Sequence, residues 1–328
     1  MKIMKNKKII CGLIAISIVL MFFSSIVSLS GSTSLNLNNQ LETSQEEIRY
    51  TEIYKSIYID GHEEFDVFVA TERWASGKGD IFDPYVIEGI SMIGVQLVIK
   101  DVDFFVIRNC RFFNYSMPYG YIGFAGLSLD RCRYGTIENN IFEHCSIGLS
   151  AYHGCEDLII SRNDFLGSHD DSKTGMGKAI YITDIVSVQI LENYIYAYYD
   201  GIVVFRAGKI LITNNRIETI FGYISDTGIY FYYVDDSSIT KNDFFGCDFG
   251  GRESTNITAS GNNIPQTSTI EHCNNLTIYG NKYYDLDGNL IGEPIPFTVD
   301  YTIVIVFSVV IVLVVVCTVF IVRKKIKV

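Results

Sequence analysis

The chain has 328 residues, is 48% apolar and only 19% charged, and holds five prolines, which excludes a disordered segment or a disulfide-stapled miniprotein and leaves room for a large core. Eight of the 26 basic residues sit at the two ends, so residues 31–300 hold 18 basic against 37 acidic ones. A domain this acidic excludes nucleic acid as a partner, because phosphate recognition needs exposed lysine and arginine.

Lys2, Lys5, Lys7 and Lys8 precede an uncharged run over residues 9–29, and Ser28 and Ser30 are small enough for signal-peptidase cleavage. Residues 1–30 therefore read as a secretory signal peptide or, uncleaved, as an N-terminal membrane anchor. In both cases the segment that follows is exported. Residues 31–57 read as a polar linker, and 58–93, with the lone Trp74, as an N-terminal cap over the open end of a repeat array.

Residues 94–293 carry an internal repeat, I-x-x-N-x-F, written eight times. Its central column is Cys110, Asn140, Asn163, Asn193, Asn215, Asn242, Asn262 and Asn281, at spacings of 30, 23, 30, 22, 27, 20 and 19 residues. Ile107, Ile137, Ile160, Ile190, Ile212, Ile239, Ala259 and Ile278 stand three positions earlier. Phe112, Phe142, Phe165, Ile195, Ile217, Phe244, Ile264 and Tyr283 stand two positions later. Period-2 alternation around each Ile predicts a strand, and a second strand pattern opens at Gly94, Gly126, Gly148, Ala179, Gly201 and Gly228. Several short strands per repeat, returning one strand spacing higher each time, predict an all-β fold, a parallel β-helix. The expected role of the asparagines is to turn the chain with left-handed backbone geometry and to pass amide hydrogen bonds from coil to coil. Leucine-rich horseshoes and propellers do not fit the column residues or the coil length.

Coil length varies at one place. The Phe column and the following Gly-led strand lie 14, 6, 14, 6 and 11 positions apart in successive coils, so long and short loops alternate on one corner. The long loops carry Tyr115, Tyr119 and Tyr121, then His169, Asp170 and Asp171, then Tyr223 and Asp226. Flat rings stack on the apolar faces of sugars and carboxylates accept their hydroxyls, so this set predicts a glycan site; the plainer reading is that the aromatics cover the corner. Glycoside cleavage would need paired carboxyls, for which Asp170 with Asp171, and Asp235 with Asp236, are the candidates. Both pairs are sequence neighbours, which suits solvation better than catalysis.

Eight positions before the central column, Cys132 and Cys155 fall in neighbouring coils of an apolar column, where they could form a disulfide or stack as free thiols. Cys145 and Cys247 share another column four coils apart, too far for a bond. Asn114, Asn256 and Asn275 open N-x-S/T triplets, which in an exported domain are glycosylation acceptors. Asp285, Asp287 and Asn289, with Glu293 further on, alternate as calcium ligands do, but Leu290 stands where an EF-hand loop needs glycine. Calcium is the one ion this pattern admits. Residues 294–300 form a juxtamembrane stretch, and the uncharged run 301–322 is long enough at ~1.5 Å per residue to cross ~30 Å of hydrocarbon. The basic tail 323–328 places that end in the cytoplasm and the repeat array outside.

The entry segment G-K-G-D-I-F-D-P-Y-V-I-E-G at 77–89, the coils, and the closing D-L-D-G-N-L-I-G-E at 285–293 resemble exported right-handed β-helix proteins of the periplasmic copper-binding NosD type, carbohydrate-associated relatives included. The resemblance covers roughly residues 58–293 and implies a single-stranded right-handed parallel β-helix, exported. It also raises copper, for which His144 beside Cys145, His153 near Cys155 and His272 beside Cys273 are the residues at hand. The resulting expectation is a single-pass membrane protein with its β-helix on the extracellular side, serving surface recognition or structure toward glycans or surface-layer components. A polysaccharide lyase-like or hydrolase-like enzyme and a copper-binding accessory protein are the alternatives.

Overall fold

The computed structural model describes residues 50–115, 125–167, 177–218, 227–265, 269–284 and 290–292. They build a coil of parallel strands with three faces. In one coil, Leu127–Asp130 lies on the first face, Arg133–Glu138 on the second and Ile141–Glu143 on the third. The next coil repeats this with Ile147–Tyr152, Glu156–Ser161 and Asp164–Leu166, each paired in parallel with its counterpart. Further along, the first and second faces merge into continuous strands of 14 residues, Lys178–Leu191, Asp200–Thr213 and Thr227–Thr240. The third face is one 11-stranded sheet, and the other two form a 16-stranded one. Antiparallel pairs occur at the ends, Ala75–Ser76 on Tyr85–Glu88 and Leu290–Gly292 on Lys282–Tyr284.

The asparagine column is a hydrogen-bonded ladder. Each Asn Oδ1 accepts the backbone N–H of the column residue one coil earlier, from Cys110 to Asn140 (3.0 Å) through to Asn262 to Asn281 (2.7 Å). From Asn140 to Asn262 each Nδ2 donates to the next Oδ1 and to the preceding coil's isoleucine carbonyl, as Asn163 does to Asn193 (3.0 Å) and Ile137 (2.9 Å), and Asn281 Nδ2 donates to the Ala259 carbonyl (2.9 Å). Every ladder asparagine is buried, so the chain of amides satisfies backbone groups that water cannot reach. Inside, like stacks on like: the Phe112 and Phe142 rings lie 4.7 Å apart and those of Phe142 and Phe165 4.6 Å apart, each pair nearly parallel. Each such ring contributes roughly 1.5–3 kcal/mol by burial.

Three expectations need correcting, and one open alternative is decided. The ladder asparagines are not the left-handed residues; those are the residues just before them, Asn109, Asn139, Arg162, Glu192, Asn214 and Lys241, with φ between 52° and 56°. The amide column therefore serves the ladder while its neighbour makes the bend. Gly94 does not share the column of Gly126 and Gly148. Leu97 pairs with Leu127 and Leu127 with Leu149, so Gln96 occupies that place in the earlier coil. The residues assigned to a linker (31–57) and a cap (58–93) already include rungs, since Thr51–Ile53 pairs with Ile90–Ile93 and Ile57–Asp60 with Leu97–Lys100. Cys132 and Cys155 are stacked free thiols rather than a disulfide; the Cys132 N–H points at Cys155 Sγ (3.3 Å) and both thiols donate to backbone carbonyls.

The capping element is a helix, α1 (His62–Thr71), inserted between the first two rungs. Glu63 and Glu64 in its first turn complement the helix dipole, and Phe65 is its one fully buried side chain. Phe65 stacks on Tyr85 at 4.1 Å, and the Tyr85 hydroxyl donates to Asp66 (2.6 Å), which together with burial keeps that phenol protonated. Phe68 meets Trp74 edge to face at 4.8 Å. Trp74 thus packs against this helix. Among the described residues no helix is long and apolar enough to cross a membrane; the runs 9–29 and 301–322 lie outside them.

Candidate functional site

The variable corner joins the third face to the first. Its described stems are Asn114–Tyr115 and Ala125, Gly167 and Gly177, and Glu218 and Thr227, and the coils between them turn tightly through His144–Ser146 and Ala197–Tyr199. Long and short connections therefore alternate there as the spacing requires. Of the expected sugar-binding residues, Tyr115 is described: it is half-buried against the core, and burial together with Tyr58 raises its phenol pKa. Tyr119, Tyr121, His169, Asp170, Asp171, Tyr223 and Asp226 lie outside the described residues, as do Asp285, Asp287 and Asn289.

Beside the corner, the first face presents a shelf. Alternation sends every second side chain of these strands outward, and register stacks them in two rows. One row runs Val98, Ser128, Ser150, Tyr181, Val203 and Tyr230. The other runs Lys100, Asp130 and Tyr152 and continues through Thr183, Phe205 and Tyr232. Ser128 and Ser150 are fully buried and share a hydroxyl hydrogen bond (3.2 Å) between their larger neighbours. Left-handed residues at the far edge, His153, Asp184, Arg206 and Tyr233, turn their side chains along that edge.

The shelf is aromatic and charge-balanced. Phe205 and Tyr232 stack at 5.2 Å, Tyr232 and Tyr233 lie 4.1 Å apart, and the Arg206 guanidinium covers Phe205 at 4.5 Å. Tyr152 meets the His153 ring edge to face at 4.8 Å; burial pushes its phenol up to about 12. His153 Nδ1 sits 3.2 Å from Asp130 Oδ1. Arg206 grips Asp184 through two bonds of 2.5 Å, which holds that carboxyl below the usual range, and Thr183 adds a third at 3.1 Å. Arg131 does the same to Asp101 (2.7 and 2.9 Å) and also reaches Asp130 (3.0 Å). Lys178 stands 3.4 Å from Asp200, whose pKa burial raises.

These residues were missed by reading loops rather than strands. The available signal was the aromatic at alternate positions of the Gly-led strand, ten residues before the ladder asparagine in Phe205 and Tyr232 and eleven before it in Tyr152.

The other candidates separate. Asp235 and Asp236 lie on the second-face side, bonded to Thr255 and Asn256 respectively, and do not face the shelf. The thiols of Cys145 and Cys155 turn inward to the Phe112 and Leu129 carbonyls, while His144 and His153 stand partly in solvent. Among the described residues no three His, Cys, Asp or Glu side chains are grouped to hold a metal, so these residues do not fit copper. Asn114, Asn256 and Asn275 are exposed; the Asn256 and Asn275 amides run in a small outer ladder, Asn275 to Asn256 at 2.9 Å and Asn256 to Asp236 at 2.7 Å.

A stack of parallel coils with an amide ladder and one variable corner defines a parallel β-helix. Two family models match successive stretches: a right-handed β-helix region over residues 85–224, and the periplasmic copper-binding protein NosD over residues 167–292. Each model covers less than half of the chain, which over these stretches is similar to right-handed β-helix and NosD-type proteins. Similar solved structures include PfbA, a surface adhesin of Streptococcus pneumoniae, at 12% identity and TM-score 0.45, covering 74% of this chain and 75% of that one. DFA-IIIase from Arthrobacter chlorophenolicus A6 in complex with GF2 is similar at 9% identity and TM-score 0.38 over 73% of this chain and 60% of that one. Endo-xylogalacturonan hydrolase from Aspergillus tubingensis follows at 10% identity and TM-score 0.29, over 62% of this chain and 82% of that one. No curated protein matches the chain.

Proposed function

We propose that this chain is a membrane-anchored recognition protein whose β-helix lies on the extracellular side and binds uncharged glycans along the shelf and its loop corner. The observation that carries the reading is the run of stacked rings beside hydroxyl and carboxylate groups, Tyr152 with His153 and Asp130, and Phe205 with Tyr232 and Tyr233. Rings take up the C–H faces of a saccharide and the polar edge takes its hydroxyls.

Charge selects among glycans. The shelf cations Lys100, Arg131, Lys178 and Arg206 are already held by aspartates. The loop segments add Asp170, Asp171 and Asp226 against Lys173 alone. A polyuronate or sulfated chain would meet net negative charge here, whereas a neutral saccharide loses nothing. The same pairing favours binding over cleavage, since glycoside hydrolysis needs two carboxyls free to face one bond.

Full-length protein in lipid nanodiscs, titrated on an array of neutral hexasaccharides beside polygalacturonate and heparin, tests this. Saturable binding to a neutral glycan, weakened several-fold by Phe205→Ala, is the expected result; binding to no glycan overturns the reading. Protease added to intact cells should digest the β-helix and spare the basic tail, and protection of the β-helix would refute the proposed orientation.

A further inference from the structure

Where later coils place Gly126 and Gly148, the coil at the stem of the first loop places Gln96. Gln96 is 4% exposed. Its backbone N–H reaches Ser56 Oγ (3.3 Å), and its amide nitrogen lies 2.7 Å from the Tyr58 hydroxyl. Its carbonyl oxygen Oε1 is buried with no hydrogen-bond partner. A buried amide atom left over in this way is uncommon in a native fold, because the group loses water and gains nothing. The surroundings are not closed apolar core. Tyr58 is 62% exposed.

Turning the amide over changes which atom is left over but not the fact: Tyr58 satisfies one end of Gln96 and the other end waits. A hydroxyl is donor and acceptor in one, so it satisfies either end, and the Tyr58 ring beside it offers the apolar contact that a sugar ring needs. We infer that Gln96, with Tyr58, forms a hydroxyl-binding subsite for one neutral sugar unit at the N-terminal end of the loop corner. This subsite rests on the glycan reading above and extends it to the coil nearest the cap.

The test compares the full-length protein with Gln96→Leu, which removes both amide atoms at similar volume, and Tyr58→Phe, which removes one hydroxyl. The probe is whichever neutral hexasaccharide of the array, maltohexaose, cellohexaose and chitohexaose among them, binds the unaltered protein most tightly. Gln96→Leu should weaken its binding about tenfold, the worth of one buried neutral hydrogen bond, and leave the melting temperature equal or higher because an orphaned group is gone. Tyr58→Phe should weaken binding less but lower the melting temperature, because the buried amide then loses its remaining side-chain partner. Unchanged binding in Gln96→Leu overturns this inference while leaving the glycan reading standing, and means that the amide holds a water. If the unaltered protein binds no neutral glycan of the array, the glycan reading falls and takes the subsite with it.

Discussion

Replacing Asn163 separates the ladder from mere burial of a polar side chain. Asn163 Oδ1 accepts from the Asn140 N–H and Nδ2 at 3.0 Å each, and its Nδ2 donates to the Ile137 carbonyl at 2.9 Å and to Asn193 Oδ1 at 3.0 Å. Asn163→Ala leaves the buried Asn140 N–H without an acceptor, at about 1–3 kcal/mol, and removes three further bonds worth about 0.5–1.5 kcal/mol each before relaxation. A loss of about 3–5 kcal/mol is expected. Asn163→Asp keeps both acceptor functions but turns a carboxylate toward two acceptor oxygens. Its folded-state pKa must rise above the unfolded value of about 3.9. The stability that the neutral acid retains is therefore present below that value and lost as pH climbs toward the folded pKa. Asn163→Asp should be more stable than Asn163→Ala near about pH 4 and less stable near about pH 8. Urea unfolding followed by far-UV circular dichroism measures the order, and hydrogen exchange at the Asn140 amide locates the damage. The same order of stability at both pH values would refute the reasoning.

Gly148→Val should destabilise by about 1–3 kcal/mol or more through overpacking, because a Cβ there would meet the Ala179 carbonyl and the Phe165 ring at 2.7 Å each; an unchanged melting temperature would contradict this. Burial pushes the Cys110 thiol up to about 12, and Cys132 is raised by its bond to Cys155 and by burial. The thiols of Cys110, Cys132, Cys145, Cys155 and Cys247 should resist alkylation in the native protein and all react after denaturation, as mass spectrometry would read. Asp184→Asn frees the Arg206 guanidinium and should improve polygalacturonate binding several-fold at low salt, an effect that fades at high salt. Because Arg206 depresses the Asp184 pKa, the pair's contribution is present above the unfolded carboxylate value and lost as pH falls toward the folded one. Melting curves of the two proteins should therefore converge in acid.

The ladder was legible because an amide that must donate and accept between coils admits one residue type at one place per turn, and seven of eight column positions hold it. Cys110 is the exception, and its thiol reaches the Ile87 carbonyl (3.7 Å) as the asparagines reach theirs. The bends were not legible. Arg162, Glu192 and Lys241 take left-handed geometry that costs L-residues about 1–2 kcal/mol, and the flanking strands, not the residue, impose it. Helix α1 buries one residue fully, so its sequence shows little of the 3.6-residue stripe that marks a helix. At the site, loop lengths named the corner. The shelf went unread because an outward Tyr152 or Phe205 looks like any aromatic in a strand until register places it above another.

Since, beyond helix α1, nearly all change in coil length is absorbed at a single corner, a whole coil can be duplicated or lost without disturbing the columns of its neighbours. The molecule is in that sense a ruler. Seven steps separate Cys110 from Asn281, about 34 Å of height at ~4.8 Å each. Evolution can lengthen such a ruler one graduation at a time and leave the chemistry written along its side where it was.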